Sequence, residues 1–217
     1  SVANSAVDSI SSGLASLGKY TAVAGAAVTA MGVQSLKSFG TFEASLNKAA
    51  VVAGSTSKNI GELADVANKM GAELPLSAQD AADAMVQMAQ DGANLDTIKD
   101  EFPAIAKAAT AAGADLQATA GTVQVAMNIW GDSIGSSAQA AAVLTQTANV
   151  SNASIEEMQQ AFADVGSIAS QVGINMQDTS TAIGMISNSG VPAAQAAQDL
   201  NYALTRIIKP SKQASDM

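Results

Sequence analysis

The chain has 217 residues, enough to bury one sizeable core or two small ones, and it carries 10 basic and 19 acidic residues for a net charge of −9. Cysteine and histidine are both absent, which excludes disulfides, thiolate nucleophiles, imidazole bases and the usual zinc ligands. No Lys or Arg occurs between Lys107 and Arg206, so this stretch does not form a nucleic-acid groove, because binding of phosphates depends on basic side chains.

The apolar side chains are mostly small. Hydrophobic residues make up 48% of the chain, but 47 residues are alanine and only 3% are aromatic. Alanine is the strongest helix former and lets helix backbones approach closely, while it buries little area per residue. The composition therefore predicts thin, closely packed helices whose core is completed by further copies of the chain.

The first distinctive segment is the uncharged run of 17 residues, Tyr20 to Leu36, between Lys19 and Lys37. Its length is close to the lower limit for a helix that spans a bilayer. Thr29 and Gln34, together with many alanines, make it only weakly hydrophobic. We expect a helix packed against protein here, and membrane insertion is the alternative.

Downstream, apolar residues recur at steps of three and four, the spacing that lines one face of a helix. Five such stripes predict five amphipathic helices: Ile60, Leu63, Ala67, Met70; Ile98, Phe102, Ile105, Ala109, Ala112; Leu116, Ala120, Val123, Met127, Trp130; Ile155, Met158, Phe162, Val165, Ala169, Val172; and Ala196, Leu200, Ala203, Ile207. No segment alternates apolar and polar residues as a strand would. The sequence predicts an all-α fold, either an Ala-rich bundle or a set of extended helical hairpins.

Residues that start and stop helices divide these stripes. Ser154 and Glu157 have the spacing of a capping box, and Ser77 with Asp80 is a weaker version of it. Pro192 suits a first turn, and Pro103 predicts either a first turn or a kink. Single glycines are expected to end helices at Gly71, Gly92, Gly113, Gly131, Gly173 and Gly190.

A degenerate repeat joins a helix-ending glycine to a short Leu or Met turn. It occurs at Gly71–Leu74, Gly113–Leu116 and Gly173–Met176, at unequal spacings of 42 and 60 residues. Such spacing does not predict a regular solenoid.

No set of residues predicts catalysis, a cofactor site or a metal site. The adjacent acids Asp100–Glu101 and Glu156–Glu157 do not face each other on a helix, and we expect both pairs at helix starts, where they favour the macrodipole. Trp130 lies on an apolar stripe and is expected in the core, as are Met85 and Met88. The sequence therefore predicts a protein that is not an enzyme.

Short stretches from Phe39 to Pro210 follow one another in a characteristic order: Phe42–Leu46, Asn59–Leu63, Lys69–Leu74, Ser77–Ala84, Met88–Gly92, Ala148–Ser151, Gly190–Pro192 and Leu204–Pro210. In this order and spacing the chain resembles the core region of tail tape measure proteins of long-tailed bacteriophages and prophages. We accordingly expect an N-terminal helical segment at 1–38, the tape measure core at 39–210 and the start of a continuing segment at 211–217. Tape measure proteins are usually much longer, so a piece of a larger protein is expected.

The resemblance implies a structural virion protein that sets tail length, occupies the lumen of the tail tube and is released during genome ejection. It implies contacts with the tail tube protein, the tail tip or baseplate and tail assembly chaperones. It also implies a homo-oligomer, often a trimer, made in the host cytoplasm, with contact to the host membrane and periplasm on ejection through residues 20–36. No specific nucleic-acid binding and no cofactor are expected.

Two other protein classes fit parts of the sequence. A membrane-active helical protein, pore-forming or secreted, would use the segment from Tyr20 to Leu36. A helical scaffold or adaptor would need sustained heptads, and Leu116 to Trp130 covers only about two.

Overall fold

The computed structural model describes residues 25–55 and 60–209, and those ranges contain nine α-helices and no strand. The predicted all-α fold is confirmed. In chain order the helices are α1 (Gly25–Val52), α2 (Ile60–Glu73), α3 (Ala78–Gln90), α4 (Leu95–Ala112), α5 (Leu116–Trp130), α6 (Ser137–Val150), α7 (Ile155–Gln171), α8 (Met176–Asn188) and α9 (Ala193–Ile208), with a 3₁₀ turn at Gly131–Ile134 after α5.

Contacts divide the chain into two compact units, Ser1–Thr41 and Phe42–Met217, and the packing described below is that of the second unit. The predicted uncharged segment, residues 20–36, begins outside the described residues, and none of its side chains is described. Among the helices of the ranges 25–55 and 60–209, none is both long and apolar enough to cross a bilayer.

Both predicted capping boxes are confirmed. At α7 the Glu157 amide donates to Ser154 Oγ at 3.2 Å, and the Ser154 amide donates to Glu157 Oε2 at 3.0 Å. At α3 the Asp80 amide donates to Ser77 Oγ at 3.0 Å and the Ser77 amide to Asp80 Oδ2 at 2.9 Å. Each box satisfies donors of the first helical turn, so each fixes where its helix begins.

Five of the six predicted helix-ending glycines follow a helix and have positive φ, as Gly113 does in the left-handed region at 65°. Gly71 is the exception, and the prediction there was wrong because Gly71 lies inside α2. A Cβ at Gly71 would come within 3.0 Å of the Ala78 amide nitrogen. The glycine therefore allows the last turn of α2 to approach the start of α3.

The prolines differ from expectation in one case. Pro103 lies inside α4, eight residues after its first residue, so the predicted first turn at Pro103 was wrong. The helix begins instead at Asn94, whose Oδ1 accepts from the Thr97 amide at 2.9 Å. Pro192 occupies the N-cap of α9, one residue before the helix, where its missing N–H leaves no intrahelical bond unmade.

The helices pack in two rows. A first row contains α3, α5, α7 and α9, and a second row contains α2, α4, α6 and α8, so most helices pack on the helix two positions further along the chain. The N-caps of the first row, Ser77, Asp115, Ser154 and Pro192, are 38, 39 and 38 residues apart. The helix pair is thus a nearly regular repeat. The predicted irregularity arose from Gly71, which ends no helix, and from comparing Gly113 after α4 with Gly173 after α7, which lie in different rows.

The core follows the predicted stripes with three exceptions. Their central residues are buried, as are Met85 and Met88 of α3. Val172, at the end of α7, is exposed, and so are Ala203 and Ile207 of α9. The prediction failed at Ala203 and Ile207 because the described residues leave that face of the C-terminal half of α9 uncovered.

Candidate functional site

Acidic residues form no catalytic or metal-binding arrangement in the described part of the chain. No cluster of His, Cys, Asp or Glu there could hold a metal ion. Glu156 and Glu157 lie in the first turn of α7, as predicted. Asp100 and Glu101 lie in the interior of α4 instead, and the prediction of a helix start was wrong because Asn94 caps that helix six residues earlier.

Glu101 is the acid whose environment is most unusual. It is half-buried, and its Oε2 is buried without a hydrogen-bond partner among the described residues. Burial, and to a smaller extent the neighbouring Asp100 carboxylate, raise the pKa of the Glu101 carboxyl above its usual value. No second titratable group pairs with it, so this carboxyl bears on stability rather than on catalysis.

A polar cluster ties three helices of the first row together. Asp91 Oδ2, at the end of α3, accepts from Gln87 Nε2 at 2.7 Å and from Gln159 Nε2 of α7 at 3.1 Å. The bond from Gln159 passes over Gly121 of α5, where a Cβ would lie 2.6 Å from Asp91 Oδ2. The missing side chain of Gly121 thus lets α7 reach α3 across the helix between them.

The same row carries a recurring asparagine contact. Asn128 Nδ2 of α5 donates to the main-chain oxygen of Asp91 at 2.7 Å, and Asn201 Nδ2 of α9 makes the equivalent short bond to the oxygen of Asp164 in α7. Each pair is 37 residues apart. The sequence analysis missed this contact, although the spacing of these residues matches the helix-pair repeat and could have identified it.

Trp130 is a core residue, as predicted. Its ring packs edge-on against Phe162 with centroids 5.1 Å apart, and its Nε1 donates to the Ile174 oxygen at 2.9 Å. Gly166 of α7 lies against the same ring, and a Cβ there would meet Ile129 Cδ1 at 2.7 Å. The Trp130 indole is enclosed by α5 and α7 and presents no platform for a ligand.

A shallow groove runs between α6 and α8 in the second row. No charged residue lines it, and its floor is Gly184, where a Cβ would lie 3.2 Å from Thr147 and Ser151. The apolar side chains of Val150 and Met185, 68% and 70% exposed, flank it. The helix α6 has no charged residue, so this face of the molecule is almost neutral in an acidic chain.

The largest uncovered apolar feature lies on α9. We call its residues Asp199, Tyr202, Ala203, Arg206 and Ile207 the α9 stripe; they follow one another at steps of three and four and are all exposed. Tyr202 is 62% exposed and Ile207 is 74% exposed. The Arg206 guanidinium lies 5.0 Å from the centroid of the Tyr202 ring, a cation–π contact within the stripe.

Comparison with known proteins places this helical stack. Residues 64–217 match the model of the phage-related minor tail protein family, which covers more than half of the chain. The chain belongs to that family. It is also similar to the tape measure protein of Pneumococcus phage Dp-1, with 28% identity over 204 residues, 94% of this chain. No solved structure matches it.

As a member of the phage-related minor tail protein family, the chain is a structural component of a phage tail and of the virion. The resemblance to tape measure proteins inferred from the short stretches between Phe39 and Pro210 is confirmed by this match. The chain spans about 18% of the length of the Dp-1 protein. The activity and partners of that whole protein are therefore matters of proposal for this chain.

Proposed function

We infer that this chain is a segment of the protein that sets the length of a phage tail, occupies the lumen of the tail tube and is released when the genome is ejected. The observation that carries the proposal is the similarity to a tape measure protein along 94% of the chain. The absence of a metal cluster in the described residues and of a catalytic constellation in the sequence is consistent with a structural role.

A ruler needs a length that increases linearly with the number of residues. An extended α-helix provides this at about 1.5 Å per residue. The described stack also grows linearly, but slowly, because neighbouring helices of one row lie about 8–10 Å apart and each step along the row takes 38 or 39 residues. The stack would therefore add only about 0.25 Å per residue, roughly a sixth of the rise of an extended helix.

The surface charge suits a chain that shares a narrow tube with DNA. The acidic residues of the stretch from Lys107 to Arg206 have no basic residue among them, so this stretch repels phosphates. We therefore propose no specific nucleic-acid binding. The proposed partners are the tail tube protein, the tail tip or baseplate, tail assembly chaperones and further copies of the chain. Residues 20–36 are proposed to contact the host membrane during ejection.

The repeat supplies a clean test of the ruler. Deleting residues 115–153 from the full-length gene of the parent phage removes α5 and α6 as one complete pair and leaves Ser154 to cap the next helix. If the segment lies extended in the tail, electron microscopy should show tails shorter by about 58 Å. If it lies folded, the tails should shorten by only about 10 Å.

Duplication of residues 115–153 is the matched control and should lengthen the tails by the same amount. A proportional change in both directions supports the proposal, and its size gives the state of the segment in the tail. Normal particles with unchanged tail length in both variants would contradict a ruler function for this segment.

A further inference from the structure

The α9 stripe is an apolar surface that the sequence pattern assigns to a core. Ala203 and Ile207 continue the spacing of Ala196 and Leu200, yet they are exposed, whereas Ala196 is buried against the rest of the stack. In the first row the helices α5 and α7 are each covered on both sides by other helices of that row. Among the described residues, α9 has only α7 on one side of it, so its stripe is the unpaired end of the row.

The order of side chains in the stripe is self-complementary. When two copies of α9 lie antiparallel around a two-fold axis between Tyr202 and Ala203, position 199 of one copy lies opposite position 206 of the other. The axis therefore sets Asp199 against Arg206 twice, and brings Tyr202 of each copy against Ala203 of the other. Such an isologous contact uses one patch on both copies and closes as a dimer.

Charge favours this face over the others. Each copy has a net charge of −9, so two copies repel one another over most of their surface. Arg206 is the first basic residue after Lys107, and no carboxylate among the described residues forms an ion pair with it. The antiparallel arrangement supplies that carboxylate from the second copy, which converts a repulsive approach into an attractive one.

The residues that follow α9 do not suit the role of cover. The eight positions after Lys209 contain only Ala214 and Met217 as hydrophobic residues. A second α9 instead offers Tyr202, Ala203 and Ile207 in the matching order. We propose that the α9 stripe docks the α9 stripe of a second copy of this chain, antiparallel, with Asp199–Arg206 pairs on both sides of an aromatic centre.

The interface is small. One pair of helices of 16 residues each places the contact at the weak end of specific interfaces, below about 1,200 Å² of total buried surface. The dimer is therefore expected to exchange with the monomer as the protein is diluted. Its exposed ion pairs are expected to make association weaker at high salt, because salt screens them.

Sedimentation of the 217-residue chain over a range of concentrations tests the proposal. The wild type should show a monomer–dimer equilibrium, and Ile207→Glu or Arg206→Asp should weaken association by about tenfold or more. The double variant Asp199→Arg/Arg206→Asp should restore association, because exchanging the two charges recreates both pairs. Met185→Glu, at a residue exposed to a similar degree on α8, should leave the equilibrium unchanged.

Circular dichroism should show the same helicity in all four variants, since the substituted residues are exposed. A wild type that stays monomeric at every concentration, a trimer, or association that Met185→Glu abolishes and Ile207→Glu does not would each overturn the proposal. The inference does not depend on the proposed role in tail length. Unchanged tails after deletion of residues 115–153 would leave it standing, because the α9 stripe lies outside that deletion.

Discussion

The contact between α5 and α7 and the C-terminal half of α9 lie in the same row of helices and differ in how they use apolar residues. In the first, Trp130, Phe162 and Gly166 interlock and leave almost no exposed apolar surface. In the second, Tyr202 and Ile207 are spaced as regularly but lie open. The comparison teaches that an apolar stripe records what a helix is able to bury, whereas only the neighbouring helices determine what it does bury.

Removal of a ring should have the largest effect where the contact is closed. Phe162→Ala leaves a cavity against Trp130 and should lower the free energy of unfolding by about 3–5 kcal/mol. Tyr202→Ala, which removes an exposed ring and its contact with Arg206, should cost only about 0.5 kcal/mol. Urea denaturation, at concentrations where the chain is monomeric, measures both values, and equal losses would contradict the difference between the two regions.

Addition of one methyl group should have a smaller effect. The Cβ of Gly166→Ala would lie 2.7 Å from Ile129 Cδ1 and 3.2 Å from Trp130 Cη2, and the indole is fixed by its bond to Ile174. Overpacking of about 1–3 kcal/mol should exceed the gain of about 1 kcal/mol in helix propensity, so we expect a net loss near 1 kcal/mol.

Gly61→Ala, at the second residue of α2, is the matched control for this substitution. No atom lies within 4 Å of the added Cβ, so only the propensity gain remains and thermal unfolding should occur at a slightly higher temperature. A rise in unfolding temperature for Gly166→Ala as well would show that the contact between α5 and α7 has room to spare.

The smallest effect is expected for Glu101→Gln. Because burial raises the pKa of Glu101 in the folded state, the ionised carboxyl destabilises the fold at neutral pH, and this cost disappears as the pH falls from the folded-state pKa towards the unfolded one. Glu101→Gln should therefore be slightly more stable than the wild type at neutral pH, with the difference shrinking in acid. Thermal unfolding across that pH range measures it, and a difference that grows in acid would contradict the assignment.

Local chemistry explains most of what the sequence predicts correctly. The capping boxes at Ser77 and Ser154 and the left-handed turn at Gly113 need only residues within a few positions, so a pattern is sufficient to find them. Pro103 was misplaced because α4 continues through it once Asn94 caps the helix further upstream.

Tertiary proximity explains most of what the sequence does not predict. The reach of Gln159 to Asp91 over Gly121 joins residues 68 positions apart, and a glycine in a helix does not by itself indicate that another side chain crosses it. The uncovered end of α9 was missed for the same reason, since its stripe has the spacing of a buried one. The two-row packing, by contrast, was within reach, because the N-caps of the first row recur every 38 or 39 residues.

The same two-row packing determines how the stack responds to a pulling force. Because helices pack mainly on those one or two positions away, a load applied at the C-terminal end of α9 acts first on its contacts with α7 and α8 alone. The helices then detach in pairs rather than all at once, which keeps the peak force low. The bond from Gln159 to Asp91 spans α3, α5 and α7, so these three helices resist as one block and separate last.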